Sequence, residues 1–314
     1  MNAHVKMLDA QQALSFVISQ TSHIETQVWK KLYPEILYPE FVPVDESAHP
    51  WATTVTYYSS DVTGQAGWLH SFAQDFPMVN QNRTKHETNV SMGGIGYGYN
   101  LQEISQASML GINLQADLAI ASRDAYERHC EQVAFMGDAQ VGYQGLLNNS
   151  SVGAADVADG ASTNPEWETK TPDEIVKDFN EALSDIYSDS NTIELADTVL
   201  LPPSSYNLIA TKRLDPTMTT TILEHIQRVN VYTAQTGKPL KIRALRQLET
   251  AGAGNTKRMV VYLRNPQVVK LHRPMPLRFF PVQQVMLDYK VPAAYRIGGT
   301  DVRRPGAVRY RDGI

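Results

Sequence analysis

The stretch Asn100–Gly137, NLQEISQASMLGINLQADLAIASRDAYERHCEQVAFMG, decides how the rest of the chain is read. Leu110, Leu114, Leu118, Ala121 and Ala125 recur at steps of four, four, three and four, which sets them along one face of a 3.6-residue helix. Ile112, Ala116 and Ile120 form a second apolar line beside the first, so the pattern predicts a helix covered on more than one side. Asn100, with Glu103 three residues on, supplies the N-terminal cap, and Gly137 supplies the stop. The expectation is one long helix over 100–137 with its stripe in the core. Gly111 inside it costs about 1 kcal/mol relative to alanine, and close packing is the plain reason for a glycine there.

Upstream, the chain reads as extended. Glu87–Tyr99 predicts a strand ending in GGIGYGY. Gly94, Gly96 and Gly98 invite comparison with a dinucleotide fingerprint, but the third glycine arrives too early and no buried Val/Ile strand precedes it. Strand glycines that admit a neighbouring backbone are the better reading. Trp51–Phe76 predicts a hairpin: Thr53, Val55 and Tyr57 alternate with Thr54 and Thr56, and SSDVTGQAG supplies turn chemistry. Trp68, Leu69, Phe72 and Phe76 after the turn suit a loop that reaches over a partner or one that folds back on its own domain. Before the hairpin, a short helical pattern at Leu14, Val17 and Ile18 gives way to Pro34, Pro39, Pro43 and Pro50, interspersed with Tyr33, Tyr38, Phe41 and Val42. Such an apolar, proline-broken arm lies along its own domain or along a neighbour.

Downstream, Thr171, Pro172 and Glu174 make a capping box with proline at the first helical position, and Ile175, Phe179, Ala182, Leu183 and Ile186 carry the apolar face that follows. Asp197–Leu201 and Arg258–Arg264 read as strands. A short helix passes through Tyr206 and Ile209, and another through Ile222, Ile226 and Val229 ends at Gly237. This is a mixed α/β domain. From Pro274 the texture becomes β, with Leu277, Phe279, Val282, Val285, Leu287 and Tyr289 in imperfect alternation.

The net charge of −5 conceals a division. From Lys238 onward stand 16 Lys and Arg against Glu249, Asp288, Asp301 and Asp312, a net of +12; the preceding residues hold 12 bases and 29 acids, a net of −17. The bases are spread among strand-like segments rather than clustered as in a nucleic-acid face. The asymmetry predicts charge complementarity between copies. No apolar run reaches the roughly 18 residues of a membrane helix, and Met1–Ser22 does not resemble a secretory signal. The single cysteine, Cys130, reads as a small buried hydrophobe.

Chemistry-bearing motifs are missing from the sequence: no GxSxG elbow, Walker loop, HExxH or CxxC. His86–Glu87, Glu127–His129 and Glu224–His225 pair acid with imidazole only by adjacency. Asp185, Asp189, Asn191 and Glu194 hint at calcium but miss the EF-hand spacing and its glycine, which leaves a solvated helix end. The expectation is a non-enzyme with no cofactor and no metal.

Three stretches carry a family likeness: AFMGDAQVGYQGLLNN at 134–149, DTVLLPPSSYNLIAT at 197–211 and YRIGGTDVRRPGAVRYRDGI at 295–314. Together with the order of parts, they make the chain resemble the major capsid protein of tailed bacteriophages, the Hong Kong ninety-seven type fold shared with encapsulin shells. The resemblance implies an α+β fold. Residues 1–50 would be an N-terminal arm, 51–81 an extended hairpin (the E-loop) over the adjacent subunit, and 82–170 a peripheral domain with the spine helix 100–137. Residues 171–273 would form an axial domain, and 274–314 strands returning to the peripheral domain. It further implies self-assembly into hexamers and pentamers that close an icosahedral shell around double-stranded DNA, made in the host bacterial cytoplasm.

On the same resemblance, Tyr57, Trp68, Leu69, Phe72, Phe41, Arg303 and Arg304 are candidates for contact between subunits. Portal, scaffold or decoration proteins are the implied partners, and DNA is met only loosely on the inner surface, because tight binding needs clustered cations. Two departures matter. Trp51–Phe76 contains no lysine, so no covalent link through an E-loop lysine is expected, and the chain leaves no room for a scaffolding segment ahead of the arm. An encapsulin-like compartment and, less well supported, a soluble α/β enzyme are the alternatives.

Overall fold

The structure, a computed structural model, describes residues 33–68, 78–109, 111, 113–217 and 219–314. Every element named here belongs to the unit Ile36–Ile314; of the unit Met1–Glu35, only the irregular run 33–35 is described. The predicted helical pattern at Leu14, Val17 and Ile18 falls outside the described residues. In chain order come α1 (Tyr38–Phe41), β1 (Val44–Asp45), β2 (Thr54–Thr63), β3 (Asn80–Asn100), α2 (Leu101–Met109), α3 (Leu114–Phe135), β4 (Gly137–Asp138), β5 (Tyr143–Gln144) and β6 (Gly153–Asp156). They are followed by α4 (Pro172–Asp189), β7 (Thr198–Leu201), α5 (Pro203–Thr211), α6 (Ile222–Arg228), α7 (Val231–Thr236), β8 (Lys241–Ala244) and β9 (Arg258–Tyr262). The remaining strands are β10 (Val269–His272), β11 (Met275–Phe279), β12 (Gln283–Val285), β13 (Asp288–Gly298), β14 (Thr300–Val302) and β15 (Val308–Asp312).

The predicted single helix over 100–137 is two helices. Both outer signals hold: Asn100 Oδ1 accepts the Gln102 N–H at 3.0 Å, Glu103 reaches back to the Asn100 N–H, and Gly137 stands at φ +72° beyond the end of α3. Between them Gly111 adopts φ +70°, a left-handed conformation that side chains disfavour, and Asn113 caps α3 by accepting the Ala116 N–H at 3.2 Å. A Cβ built on Gly111 meets nothing within 4 Å, so the residue is glycine for its backbone and not for close packing. The buried face of α3 also differs from the predicted stripe. Ser122, Tyr126, Cys130, Val133, Ala134 and Phe135 are buried, while Ala121 is exposed and Leu114, Leu118 and Ala125 are only half-buried. The core covers the C-terminal half of α3, and the stripe lies along the part that runs past it.

β3 is one strand with two partners. Its first half pairs antiparallel with β2, from Thr54↔Asn89 to Thr63↔Asn80, and its second half pairs with β13, from Gly298↔Val90 to Asp288↔Asn100. The hairpin predicted within Trp51–Phe76 therefore closes further on, and the run Ser59–Thr63, read as turn, is strand. The returning segment NQNRTKHETN is polar on both faces because it forms a two-stranded ribbon with water on each side, so it carries no alternating signal. The strand glycines do admit neighbours: a Cβ on Gly96 would stand 2.9 Å from the Val291 carbonyl oxygen, and one on Gly93 would strike the Tyr295 ring.

The α/β region is built on the sheet β6-β15-β9-β7-β8. The capping box of Thr171 and Glu174 starts α4, whose Ile175, Phe179, Ala182, Leu183 and Ile186 bury against Val199, Leu201, Met259 and Val261. The C-terminal strands do not all return to the spine as expected. β11 and β13 join β3 and β14 joins β10, but β15 enters the mixed sheet between β6 and β9. β10 lies between β1 and β14 in a separate three-stranded sheet. The proline-broken arm, from Ile36, lies along its own domain: Tyr38, Phe41 and Val42 are fully buried beside Phe135 and Leu271, and β1 runs parallel to β10.

The acidic and basic halves of the sequence meet inside one chain. Of the 16 bases from Lys238 onward, Lys241 and Arg243 face Glu40, Lys257 faces Glu168, Lys270 faces Asp45 and Arg273 faces Glu46. Arg304 pairs with Glu194, Arg309 with Asp189 and Arg311 with Asp185. These eight pairings bond the acidic and basic segments within one subunit, a use of the charge asymmetry that the sequence pattern assigned only to contacts between copies. They also account for the calcium-like cluster, since alternate arginines of β15 meet carboxylates one helical turn apart on α4.

Candidate functional site

The catalytic possibilities weighed from sequence dissolve into separate contacts. Glu127 accepts from the Tyr38 hydroxyl at 2.8 Å, His129 lies edge-on to Tyr295, Glu224 pairs with Arg228, and Glu87 with Lys85. Cys130 is fully buried, and burial pushes its thiol up to about 11, which leaves it protonated and inert. Among the described residues, no group of three His, Cys, Asp or Glu converges as a metal site requires. No helix among them is long and apolar enough to cross a membrane.

What the fold does present is apolar surface that no other part of the described residues covers. The β2–β3 ribbon and its tip expose Tyr58, Val62, Met78 and Val79, and Trp68 is 98% exposed. A two-stranded ribbon has no interior in which to bury such residues, and contiguous exposed apolar groups mark contact surfaces. Leu69 and Phe72 lie outside the described residues.

The remaining contact candidates fall in three different settings. Tyr57 is half-buried at the root of the ribbon, stacked on His86 with centroids 4.8 Å apart, and the Arg303 guanidinium lies over its ring at 4.1 Å. Burial, followed by the Asp301 charge, pushes the Tyr57 phenol above its ordinary value. Arg303 donates to Asp301 at 3.0 Å. Burial works to raise the Asp301 carboxyl, but hydrogen bonds from His272 and Arg303 outweigh it and hold the group below its ordinary value. Arg304 is half-exposed and bound to Glu194. Phe41 is corrected: it is 1% exposed and packs on Phe135, with Lys241 over its ring, so it is a core residue of its own subunit.

Two further surfaces escaped the sequence reading. α2 buries none of its residues and exposes Leu101 and Met109. Beside it the β12–β13 turn exposes Val282, Val285, Met286 and Leu287, with Met286 at φ +57°, and is tied to α2 through the Leu101 N–H to Leu287 carbonyl bond at 3.0 Å. The apolar run VMLD where a two-residue turn prefers Asn-Gly was the available signal. A polar cleft of about 380 Å³ separates the ribbon root, Glu87–Asn89, from the β4–β5 hairpin and β14.

The chain matches the family model described as major capsid protein over residues 64–314. No curated protein matches it. Among solved structures it is similar to the capsid of Myoviridae phage XM1, with 18% identity, 99% of this chain and 100% of that one covered, and a TM-score of 0.79. It is similar to the capsid of the native GTA particle, with 10% identity, 99% of each chain covered and a TM-score of 0.65. A third likeness, to a virus-like particle from Pyrococcus furiosus, has 10% identity, covers 87% of this chain and 91% of that one, and has a TM-score of 0.53.

Proposed function

The chain belongs to the major capsid protein family and is a structural shell protein, and from that premise we propose that its copies form hexamers and pentamers closing an icosahedral shell around the double-stranded DNA of a tailed phage. The observation that carries the reading is the ribbon: its exposed tryptophan and aliphatic residues have no cover among the described residues of their own subunit, and a neighbouring copy supplies it. The ribbon then serves as the E-loop, with Trp68 as an anchor, and the exposed faces of α2 and the β12–β13 turn serve as further contacts. Portal, scaffold and decoration proteins join this shell as partners, assembly takes place in the host cytoplasm, and the subunit's work is structural rather than catalytic. A subunit with net charge −5, at least ten of whose 16 C-terminal bases pair with carboxylates of the same subunit, suits an inner surface that holds DNA loosely.

The full-length chain should elute as capsomers or megadalton particles and show closed shells by electron microscopy. A monodisperse monomer under every assembly condition overturns the proposal. Shells filled with a protein cargo and free of DNA in the native host would instead establish a compartment of encapsulin type. The return strand of the ribbon adds one lysine to the hairpin, Lys85, whose amine is engaged by Glu87 and which lies away from the tip. Subunits boiled from shells should therefore run as single chains on a denaturing gel; a ladder of oligomers sinks the expectation of an uncrosslinked shell.

A further inference from the structure

The ribbon leaves the body of the subunit at Asn89–Val90, and a short file of side chains stands at that root. His86 and Tyr57 stack across the two strands, and the Arg303 guanidinium lies 4.1 Å from the Tyr57 centroid. Arg303 comes from the segment just after β14. Its backbone N–H donates to the Val268 carbonyl at 2.8 Å and its Nε to Asp301 at 3.0 Å, so the guanidinium is fixed from behind before it meets the ribbon. Asp301 is itself 3.5 Å from Nε2 of His272, which is buried between it and Asp45, and Asp45 pairs with Lys270. Beside the root, Glu87, Thr88 and Asn89 border the polar cleft whose other walls are the β4–β5 hairpin and Gly299–Val302.

We propose that Arg303 is a latch: its stack on Tyr57 sets the angle at which the β2–β3 ribbon leaves the subunit, and breaking the stack lets the root of the ribbon move toward the cleft. The residue types suit this task. A guanidinium is flat, so it can stack one face on a ring while its edge donates to a carboxylate, whereas a lysine ammonium has no flat face to stack. The ribbon needs such a point because it has no core of its own, and among the described residues β2 pairs only with β3. The cleft supplies the room into which a released ribbon turns, and its polar walls allow water to fill or leave it. The latch lies within a single subunit and stands whether or not the ribbon meets a neighbour; the proposed shell function gives it a use, since the ribbon angle decides which part of an adjacent copy the tip can reach.

The test is a distance measurement within one chain. Nitroxides on Val62→Cys in the ribbon and Lys177→Cys on the exposed side of α4 are placed in the full-length protein, diluted into unlabelled subunit, and read by pulsed electron paramagnetic resonance. The parent and Tyr57→Phe, which keeps the ring, should give one narrow distribution. Tyr57→Ala and Arg303→Ala should shift and broaden it, and Arg304→Ala, which touches Glu194 instead, should not. Tyr57 sits on a ribbon outside both hydrophobic clusters, so Tyr57→Ala leaves the core intact and keeps the test meaningful even where Arg303→Ala folds poorly. A Tyr57→Ala distribution that superimposes on the parent overturns the latch.

Discussion

The mixed α/β sheet and the β2–β3 ribbon are built from the same alphabet by opposite rules. In the sheet, β7 and β9 are buried at every position and α4 closes one face, so its apolar residues are consumed within the subunit. Charged groups there are matched as closely: Arg258 donates to both oxygens of Asp312, at 2.6 and 2.8 Å, and to the Leu147 carbonyl at 2.6 Å. In the ribbon, every residue from Tyr58 to Thr63 is exposed and the large apolar groups point into solvent. One region is complete in a single copy; the other, on the proposed function, is half of a contact. Substitutions in the first should therefore be read out as stability, and substitutions in the second as association.

The largest effect is expected in the sheet. Phe179→Ala empties a fully buried site against Trp167 and should cost about 3–5 kcal/mol, measured by denaturant unfolding of the subunit. A loss no larger than that of a surface substitution would break the contrast. Next comes Trp68→Ala, expected to change subunit stability by no more than about 0.5 kcal/mol while weakening assembly, as truncation of an interface anchor does. Sedimentation reads the assembly and thermal melting the fold; a subunit that unfolds instead would return Trp68 to its own core. Gly111→Ala forces a left-handed backbone on a residue with a side chain and should cost about 1 kcal/mol, even though there is open space for the methyl group. Thermal melting of the subunit reads this cost, and an unchanged melting temperature would show that the break between α2 and α3 does not depend on glycine.

The smallest effect is a pH dependence at the junction of the arm and the body. For Asp45, burial works to raise the carboxyl, but hydrogen bonds from Lys270 and Ser47 prevail and hold it well below the usual range; Asp301 is lowered as well. Because the unfolded chain takes up these protons first, the pairs contribute stability above the ordinary carboxylate pKa of about 4 and lose it as pH falls through the folded values. Melting temperature should decline below about pH 4, and Asp45→Asn should lower it at neutral pH while flattening the acid slope. An unaltered slope in Asp45→Asn would place the acid sensitivity elsewhere.

What was legible in the sequence was local. Asn100, Gly137 and the Thr171–Glu174 box act within one helical turn, and each does what its spacing predicts. Gly111 was visible as an anomaly but its cause was not, because composition does not distinguish a glycine needed for close approach from one needed for positive φ. The stripe of α3 misled for a related reason: periodicity finds an apolar face but cannot say what covers it, and Tyr126 and Cys130, on a different face, take the core. The first half of β3 leaves no signal in the sequence because a strand bathed on both sides carries no alternation. The destination of β15 and the burial of Phe41 depend on pairings dozens to hundreds of residues apart, which spacing along the chain does not encode.

The undivided length of β3 has a consequence of parity. Twenty-one residues run from the ribbon tip to the start of α2 without a joint, and successive side chains alternate sides, so the face on which the tip presents its residues is set by odd or even counting from Tyr99 outward. A single residue added between Asn80 and Asn89 reverses it, turning outward-facing positions inward as a misplaced stitch inverts every later row, while the mixed sheet keeps its own register.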